Sequence, residues 1–419
     1  MLHLARTVSD MSTMTQTLSP AHANRYDIPA SRPRLVTDRF AAALLSSFGA
    51  LTSFYLLLSV TPMYAMSAGA GSAGAGLVTG SLMLTTVLAE FASPRLLGRF
   101  GYRTVFAAGA LLLGGPALAL LLPHSMAVIT AVSIARGLGF GLSTVVIGAL
   151  VAASVPAERR GEGIGLAGVV SCVPAIVALP SGVWLAHNAG YAIVIAITAI
   201  SALALLAATP WLANPAEAGP SGAGQANTAS VGLLGSLRPG GMLRLVLVFA
   251  ATTVSAGVVA SFLPLAAGVS AGVATLGLFA QAVTATASRW WAGRRGDRHG
   301  HAGLLIPGLL IGAAGMASLI WVSAPVVVIA GMCLFGIGFG IAQNATFALM
   351  IDRAPAGGYG TASALWNLAY DAGYGTGPIV FGVFVAHTGY PAAFGLTGLL
   401  ILVALVPAMR DRRQQGTAG

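Results

Sequence analysis

Two charged residues stand deep inside long apolar stretches of this sequence, where a charge is costly. Asp371 lies about eleven residues into its stretch, and Arg136 lies about ten residues into another. At about 1.5 Å per helical residue, both fall near the middle of ~30 Å of hydrocarbon. A charge at that depth costs roughly 2.5–3.5 kcal/mol on insertion scales. These positions therefore predict chemistry with protons or with a polar ligand.

The two central charges suit different tasks. Hydrocarbon penalises the ionised form of a carboxylate, so Asp371 is suited to take up and release a proton; a structural hydrogen bond to a neighbouring helix is the alternative. Arg136 stays protonated and must find an acceptor or line water. We expect it to act as a counter-charge to Asp371 or as a ligand contact, with a purely structural pairing as the alternative.

Uncharged polar residues accompany these charges. Asn367, Tyr370, Asp371 and Tyr374 follow i, i+3, i+4, i+7 spacing and so share one helix face. A polar and aromatic stripe in an apolar helix favours the wall of a ligand cavity, although helix packing would also use it. Further candidates for lining the same cavity are Gln343, Asn344, Tyr55 and Tyr64.

The composition excludes most other chemistry. Of the 419 residues, 56% are hydrophobic and 8% are charged, with a mean hydropathy of +0.85, which is typical of a polytopic membrane protein. The net charge of +10 comes from arginines without a single lysine, so no nucleotide-binding loop can form. Apart from His299 and His301, which lie in a loop motif and are most simply solvated, the histidines show no metal-ligand spacing, and no Ser-His-Asp or Cys-His constellation can be assembled. We expect no enzyme activity, metal, cofactor or disulfide, with Cys172 and Cys333 buried in apolar segments.

Apolar runs of about twenty residues are each long enough to cross a bilayer as a helix. They predict an all-α membrane protein of twelve transmembrane helices in two six-helix bundles related by pseudo-two-fold symmetry. We number the runs spans one to twelve, near residues 40–66, 75–97, 104–122, 126–154, 163–186, 191–212, 243–266, 273–292, 302–322, 325–351, 360–385 and 390–409.

The arginines predict the orientation of these spans. They cluster in the segments after even-numbered spans, whereas the alternate loops contain none, so both termini are expected in the cytoplasm. The predicted domains are a disordered cytoplasmic tail (1–37), an N-terminal bundle (38–212), a cytoplasmic linker (213–241), a C-terminal bundle (242–409) and a cytoplasmic tail (410–419).

The two bundles are copies of each other, 199 residues apart. Arg136-Gly-Leu-Gly-Phe-Gly-Leu142 returns as Phe335-Gly-Ile-Gly-Phe-Gly-Ile341, and Gly98-Arg-Phe-Gly101 aligns with Asp297-Arg-His-Gly300. Six spans per copy return the chain to the same side, which makes the halves parallel repeats about an axis along the membrane normal. Equivalent positions with different residues in the two copies are candidates for functions that only one half performs. At the 199-residue offset, Arg136 aligns with Phe335, Asp371 with Cys172, and Glu90 with Arg289.

Over residues 38–410 the chain resembles the major facilitator superfamily of membrane transporters. The best local match is Gly293-x-x-x-Asp297-Arg298-x-Gly300 between spans eight and nine, which is similar to the family's cytoplasmic loop signature. The first-half copy keeps Arg99 and Gly101 but has Gly98 where the acidic residue is expected. The resemblance implies that these loop motifs latch the halves in one state, with a weakened latch on the N-terminal side.

Other motifs refine the resemblance. Arg136 with its following glycines is similar to the span-four signature, whose arginine is linked to proton coupling in related antiporters. The span-five antiporter signature, centred on Gly-Pro, is present only as Leu179-Pro180-Ser181-Gly182, while Gly377-Pro378 occurs in span eleven. The run Trp366-Asn-Leu-Ala-Tyr-Asp-Ala-Gly-Tyr374 resembles bacterial drug and sugar efflux permeases of the arabinose-efflux type.

Glu90 and Arg289 occupy equivalent places in spans two and eight, about two turns from the span ends. Because these spans lie at the contact between the halves in the family, the resemblance implies a gating role for both and adds Glu90 to the proton-coupling candidates. The alternative is interfacial anchoring, in which each long side chain extends to the membrane surface.

The resemblance implies a monomeric secondary active transporter of the bacterial inner membrane, powered by the proton motive force and working by alternating access. The expected partners are protons, a small-molecule substrate and the lipid bilayer, without nucleic acid. Proton-coupled efflux of a drug-like or amphiphilic compound is the first interpretation. Proton-coupled uptake of a sugar-like or organic-acid solute, favoured by the degraded span-five signature, is the second. A non-transporting membrane sensor or enzyme is the remote third.

Overall fold

Long apolar helices build the part of the chain that the structure describes. Ten helices in this computed structural model are long and apolar enough to cross a membrane. Two of these, Gly71–Leu121 with 51 residues and Gly360–Asp411 with 52, would each extend about 75 Å if straight, so each must hold two crossings. The residues described are 36–122, 125–155, 159–211, 240–354 and 358–416.

A glycine divides each of the two long helices. Gly101 lies within the helix Gly71–Gly114 and Gly389 within the helix Tyr359–Val403, both with φ 76°. That backbone conformation strains any residue with a side chain, and it breaks the helical path between two crossings. The helices therefore comprise twelve spans, and the predicted fold is confirmed.

The remaining helices begin and end close to the predicted limits. They are Asp38–Ser67 (span one), Met126–Ser154 (four), Arg160–Asn188 (five), Tyr191–Leu203 (six), Gly240–Phe262 (seven), Ala271–His299 (eight), Ala302–Ser318 (nine) and Pro325–Asp352 (ten). Short 3-10 segments extend spans three, six, seven and nine, at Gly115–Leu121, Ala204–Trp211, Leu263–Leu265 and Leu319–Trp321.

Two segments predicted to be loop or tail are helical instead. The loop motif from Gly293 continues span eight to His299, and Gly300 ends the helix with φ 84°. The basic residues of the last turn favour this extension, because cations stabilise the carbonyl end of a helix. After span twelve the helix Leu405–Gly416 replaces most of the predicted tail. The predicted N-terminal tail and linker lie almost entirely outside the described residues.

The duplication is visible in the backbone as well as in the sequence. Six of the seven glycines with positive φ in the described chain form three pairs separated by 199 residues. These turns therefore recur at the same places in both halves: Gly69 with Gly268, Gly101 with Gly300, and Gly190 with Gly389.

The halves meet along spans two and eleven, on the side opposite the chain termini. The Ser72 hydroxyl donates to the carbonyl of Gly382 over 2.8 Å. One turn further along span two, a Cβ at Gly76 would overlap the carbonyl of Pro378, so the two backbones are in direct contact. We call this contact region, residues 72–83 of span two with residues 375–382 of span eleven, the seal.

Candidate functional site

Spans two and eleven bring together the two acidic residues of the membrane interior, Glu90 and Asp371. The Asp371 side chain is buried, with 9% of the residue exposed, and Glu90 is half-buried. The two carboxylates lie close enough to interact electrostatically, although they belong to opposite halves of the protein. Asp371 accepts no hydrogen bond and forms no ion pair within the described residues.

The seal explains why these carboxylates meet. Met83 packs against Gly375, where a Cβ would come within 2.6 Å of the Met83 Cβ. Glu90 lies about two turns beyond Met83, and Asp371 lies about one turn before Gly375, both toward the side of the termini. The pair therefore sits directly beneath the closed end of the contact between the halves.

Tyrosines from both halves surround the carboxylate pair. The Tyr55 phenol of span one interacts electrostatically with Tyr370 and with Asp371. The rings of Tyr370 and Tyr374 are stacked, with centroids 5.7 Å apart and an interplanar angle of 19°. We call these five residues the central cluster: Tyr55, Glu90, Tyr370, Asp371 and Tyr374.

Further aromatic rings hold this tyrosine wall in place. The ring centroid of Trp366 lies 5.9 Å from that of Tyr370. The Trp366 ring also stacks on Phe249 of span seven, with centroids 4.5 Å apart. Its indole N–H donates to the Thr346 hydroxyl over 3.3 Å, which fixes the ring orientation. Sequence reasoning missed Trp366 and Phe249 as part of the wall. Trp366 precedes Tyr370 by four residues, so helical spacing could have placed it on the same face.

Arg136 lies elsewhere, and its predicted pairing with Asp371 is corrected by the structure. The guanidinium is 1% exposed inside the N-terminal bundle. It donates to the carbonyl of Leu113 over 2.6 Å and to that of Ser53 over 2.8 Å, joining spans three and one. Its Nε has no hydrogen-bond partner. Main-chain carbonyls satisfy this cation because small glycines around it let three helices approach closely.

Arg289 and Asn367 border the central cluster and are exposed. Arg289 interacts electrostatically with Tyr55. Among the described residues it has no ion pair with an acid within 4.0 Å. Glu90 and Arg289, which carry opposite charges at equivalent positions of the two halves, therefore do not form a salt bridge. Asn367 stands one turn from Asp371 toward the termini, at the open edge of the cluster.

The other predicted cavity residues divide between packing and lining. The Tyr64 hydroxyl donates to the Leu120 carbonyl and its ring packs on Tyr191 at 5.0 Å, so it belongs to the core of the N-terminal bundle and not to the cluster. The Asn344 amide lies against Gly293 of span eight. Gln343 is buried one turn from Phe339, whose ring is 6.4 Å from Tyr370.

The predicted loop latch is not engaged in this structure. The Asp297 side chain is 75% exposed, and its ion-pair contact is to His301 of its own half, at 3.8 Å. Arg298 is exposed, and Arg99 stacks over the adjacent Phe100 ring at 5.2 Å. The halves are thus sealed on the side opposite the termini, whereas Asp297, Arg298 and Arg99 of the latch motifs on the terminal side are exposed.

Outside the cluster, the described residues include free cysteines and an apolar surface groove but no group that could hold a metal. No three His, Cys, Asp or Glu side chains in the described ranges approach closely enough to hold a metal. Both cysteines are free thiols. A groove of about 250 Å³ between spans seven, eleven and twelve is apolar, and exposed side chains such as Val380 and Phe384 line it, which is typical of a lipid-facing surface.

Solved structures with the same architecture are membrane transporters. A D-xylose-proton symporter is 19% identical, with a TM-score of 0.70 over 88% of this chain and 97% of that one. The nucleoside transporter NupG is 12% identical, with a TM-score of 0.70 over 90% and 99%. The inward open conformation of the xylose transporter XylE from E. coli is 18% identical, with a TM-score of 0.67 over 88% and 95%. No curated protein sequence matches the chain.

Twelve apolar spans with a charged cluster between two repeated halves define a multi-pass membrane transporter, not an enzyme. The family profile described as Major Facilitator Superfamily matches residues 43–377. The chain belongs to the Major Facilitator Superfamily, as the loop and span-four motifs indicated.

Proposed function

We propose that this protein is a proton-coupled antiporter that exports a small amphiphilic compound across the bacterial inner membrane. The observation that carries the proposal is the Glu90–Asp371 pair, one carboxylate from each half, inside the membrane-spanning region and beneath the seal. Two carboxylates so placed repel each other when both are ionised, and one proton removes the repulsion. The pair is thus suited to hold a proton that is exchanged for substrate.

Alternating access follows from the position of the pair between the halves. The seal closes one side, and the exposed Asn367 and Arg289 lead from the cluster toward the other. If the halves rock about the cluster, the seal opens as the latch motifs close, and the same carboxylates face the opposite solution.

The charge distribution supports the proposed orientation. The arginines of the described residues gather at the ends of the spans that lie on the side of the termini, as the positive-inside rule requires for cytoplasmic termini. In that orientation the present conformation faces the cytoplasm, from which an exporter loads its substrate. A monomer contains the complete cluster.

Replacement of Asp371 tests the proposal directly. We expect Asp371→Asn to reduce transport driven by a pH gradient in proteoliposomes to the level of empty liposomes, because the amide binds no proton at neutral pH. The surface variant Glu162→Gln is the matched control and should transport like the parent. Unchanged gradient-driven transport by a folded Asp371→Asn protein would contradict the proton role.

Proton-coupled uptake of a sugar-like solute is the second candidate. The structures described as xylose and nucleoside transporters share the fold, and the Asn367 amide beside tyrosine hydroxyls could bind a polyol. The direction of movement separates the candidates. In vesicles of one orientation, an inward proton gradient drives the substrate of a symporter in and that of an antiporter out.

A further inference from the structure

We propose that the C-terminal bundle binds an anionic phospholipid, with an acyl chain in a groove between spans eight, nine and ten and the phosphate on Arg295 and Arg298. The inference goes beyond the transport function and depends on neither its substrate nor its direction. It draws on the shape of the groove, on the charge at one end of it and on the depth of both in a bilayer. We call the groove together with the two arginines the lipid face.

The groove is open and apolar. Its volume is about 470 Å³, and one wall is the strip of span eight from Thr284 to Trp291. The other walls are isoleucines of the two neighbouring spans: Ile311 of span nine, and Ile337 and Ile341 of span ten. The shape and the lining suit a hydrocarbon chain.

Close packing of spans eight and ten fixes the floor of the groove. A Cβ at Gly336 would come within 2.1 Å of the Thr284 hydroxyl, and one at Gly340 within 2.2 Å of the Ser288 hydroxyl. Both hydroxyls donate to carbonyls of their own helix, over 2.7 Å for Thr284 and 3.2 Å for Ser288. With these donors already used, the groove favours an acyl chain over a polar solute.

The strip of span eight leads from the groove directly to two arginines. Thr284, Ser288, Trp291, Arg295 and Arg298 follow one another at spacings of four and three residues, so they share one helix face. Both arginines are exposed. The apolar groove therefore has a basic end.

Neither arginine of this end has an acidic partner in the described ranges. Arg295 contacts the His299 ring at 2.7 Å, and neither Arg295 nor Arg298 forms an ion pair with an acid within 4.0 Å. The neighbouring Asp297 lies about 160° around the helix from Arg295, and its ion-pair contact is to His301. Two guanidiniums that lack a counter-charge are suited to a phosphate group.

The lipid face has the depth of one leaflet. Span eight contains 29 residues, and Thr284 lies at its middle. The rise from Thr284 to Arg298 is about 21 Å, and half of a bilayer with its headgroups is roughly 20–22 Å. The groove thus lies at the level of the acyl chains and the arginines at the level of the headgroups, on the side of the termini. Trp291, 48% exposed, lies between the two levels, as is typical of tryptophan near a membrane interface.

The N-terminal bundle differs from this pattern at both ends of the strip. At the 199-residue offset it has Leu96 in place of Arg295 and Ala92 in place of Trp291. It keeps Arg99 as the counterpart of the second arginine of the lipid face. The lipid face is therefore a feature of one half, and Arg99 provides a matched control.

Lipid binding to the delipidated full chain in detergent tests the inference. Native mass spectrometry counts bound dioleoyl phosphatidylglycerol or dioleoyl phosphatidylcholine, with inorganic phosphate as a competitor. We expect about one phosphatidylglycerol per protein, bound at least about 10-fold more tightly than phosphatidylcholine and not displaced by equimolar phosphate. Arg295→Gln and Arg298→Gln should each weaken phosphatidylglycerol binding about 5-fold, whereas Arg99→Gln should not change it.

The position of the acyl chain is tested with phosphatidylglycerol that carries brominated chains, which quench tryptophan fluorescence on contact. At one lipid per protein, Trp291→Phe should remove most of the quenching and Trp184→Phe should leave it. Ala287→Phe should fill the groove and weaken binding, whereas Val283→Phe, beside the groove, should not.

Gel filtration of each variant checks that it is folded. Equal binding of the two phospholipids, displacement by equimolar phosphate, or quenching that survives Trp291→Phe would overturn the inference. None of these measurements involves transport, so the proposed function stands or falls separately.

Discussion

At the scale of single residues, the charges of the membrane interior differ in the partners that they have in the structure. Asp371 and Glu90 belong to opposite halves and lie close enough to interact electrostatically. Arg136 is locked inside one bundle by two carbonyl acceptors. In the sequence, both kinds of charge lie inside long apolar runs. The structure separates them, because Arg136 joins three helices whereas Asp371 has no hydrogen-bond donor among the described residues.

Removal of the Arg136 guanidinium should cost stability. We expect Arg136→Met to lower the free energy of unfolding by about 2 kcal/mol or more, since two buried carbonyls lose their donors. Denaturant titration in mixed micelles would measure the loss. The exposed residue Arg295 is the matched control, and Arg295→Met should change stability little. A stable Arg136→Met protein with impaired transport would instead assign Arg136 to the transport mechanism.

At the scale of elements, one ion cluster ties the last helix to the C-terminal bundle. Asp411 of the helix Leu405–Gly416 accepts two hydrogen bonds from Arg353 at the end of span ten, of 2.9 Å and 2.6 Å. Arg244 of span seven donates a third over 3.3 Å, and the Asp411 side chain is 4% exposed. A bidentate and buried contact of this kind fixes three elements relative to one another.

Loss of this carboxylate should therefore destabilise the bundle. We expect Asp411→Asn to cost about 3–5 kcal/mol, because two arginines keep their charges without a buried counter-charge. Glu162→Gln breaks an exposed pair with Arg159 and should cost less than about 1 kcal/mol. Thermal unfolding of both variants in the same detergent gives the comparison. Equal losses would show that the Asp411 cluster is no stronger than a surface pair.

At the scale of the whole molecule, the two halves are in direct backbone contact at the seal, and spans five and eight also pack against each other. The seal places glycines of span two against span eleven, and the latch motifs of the other side are exposed. The central cluster lies between these two regions. A conformation sealed on one side and released on the other is what alternating access requires of one end state.

Accessibility of Asn367 tests this conformation. In a chain with Cys172→Ser and Cys333→Ser, we expect Asn367→Cys to react with a membrane-impermeant maleimide faster from the side of the termini. Thr79→Cys within the seal is the control and should stay protected, since Thr79 is buried against Ser261. Inverted vesicles and intact cells provide the two sides. Faster labelling of Asn367→Cys from the opposite side would contradict the assigned opening.

Much of the fold followed from the sequence because local properties determine it. The length of each apolar run, the arginine distribution and the 199-residue repeat predicted twelve spans, and the glycine turns of the structure recur at the same 199-residue spacing. The helices of spans eight and twelve continue beyond their predicted last residues. A criterion based on apolar runs misses helical turns that contain arginine and aspartate.

The site was predicted only in part, for a physical reason. The sequence alone determined which residues are expensive in hydrocarbon, and hence that Asp371, Glu90 and Arg136 needed partners. Only the tertiary structure decided which groups lie next to these charges. Those groups belong to helices that are distant in sequence, and the distance between the helix backbones determines which of them can make contact. Glycines at the seal brought Glu90 to Asp371, and the packing of spans one, three and four gave Arg136 two carbonyls instead of a carboxylate.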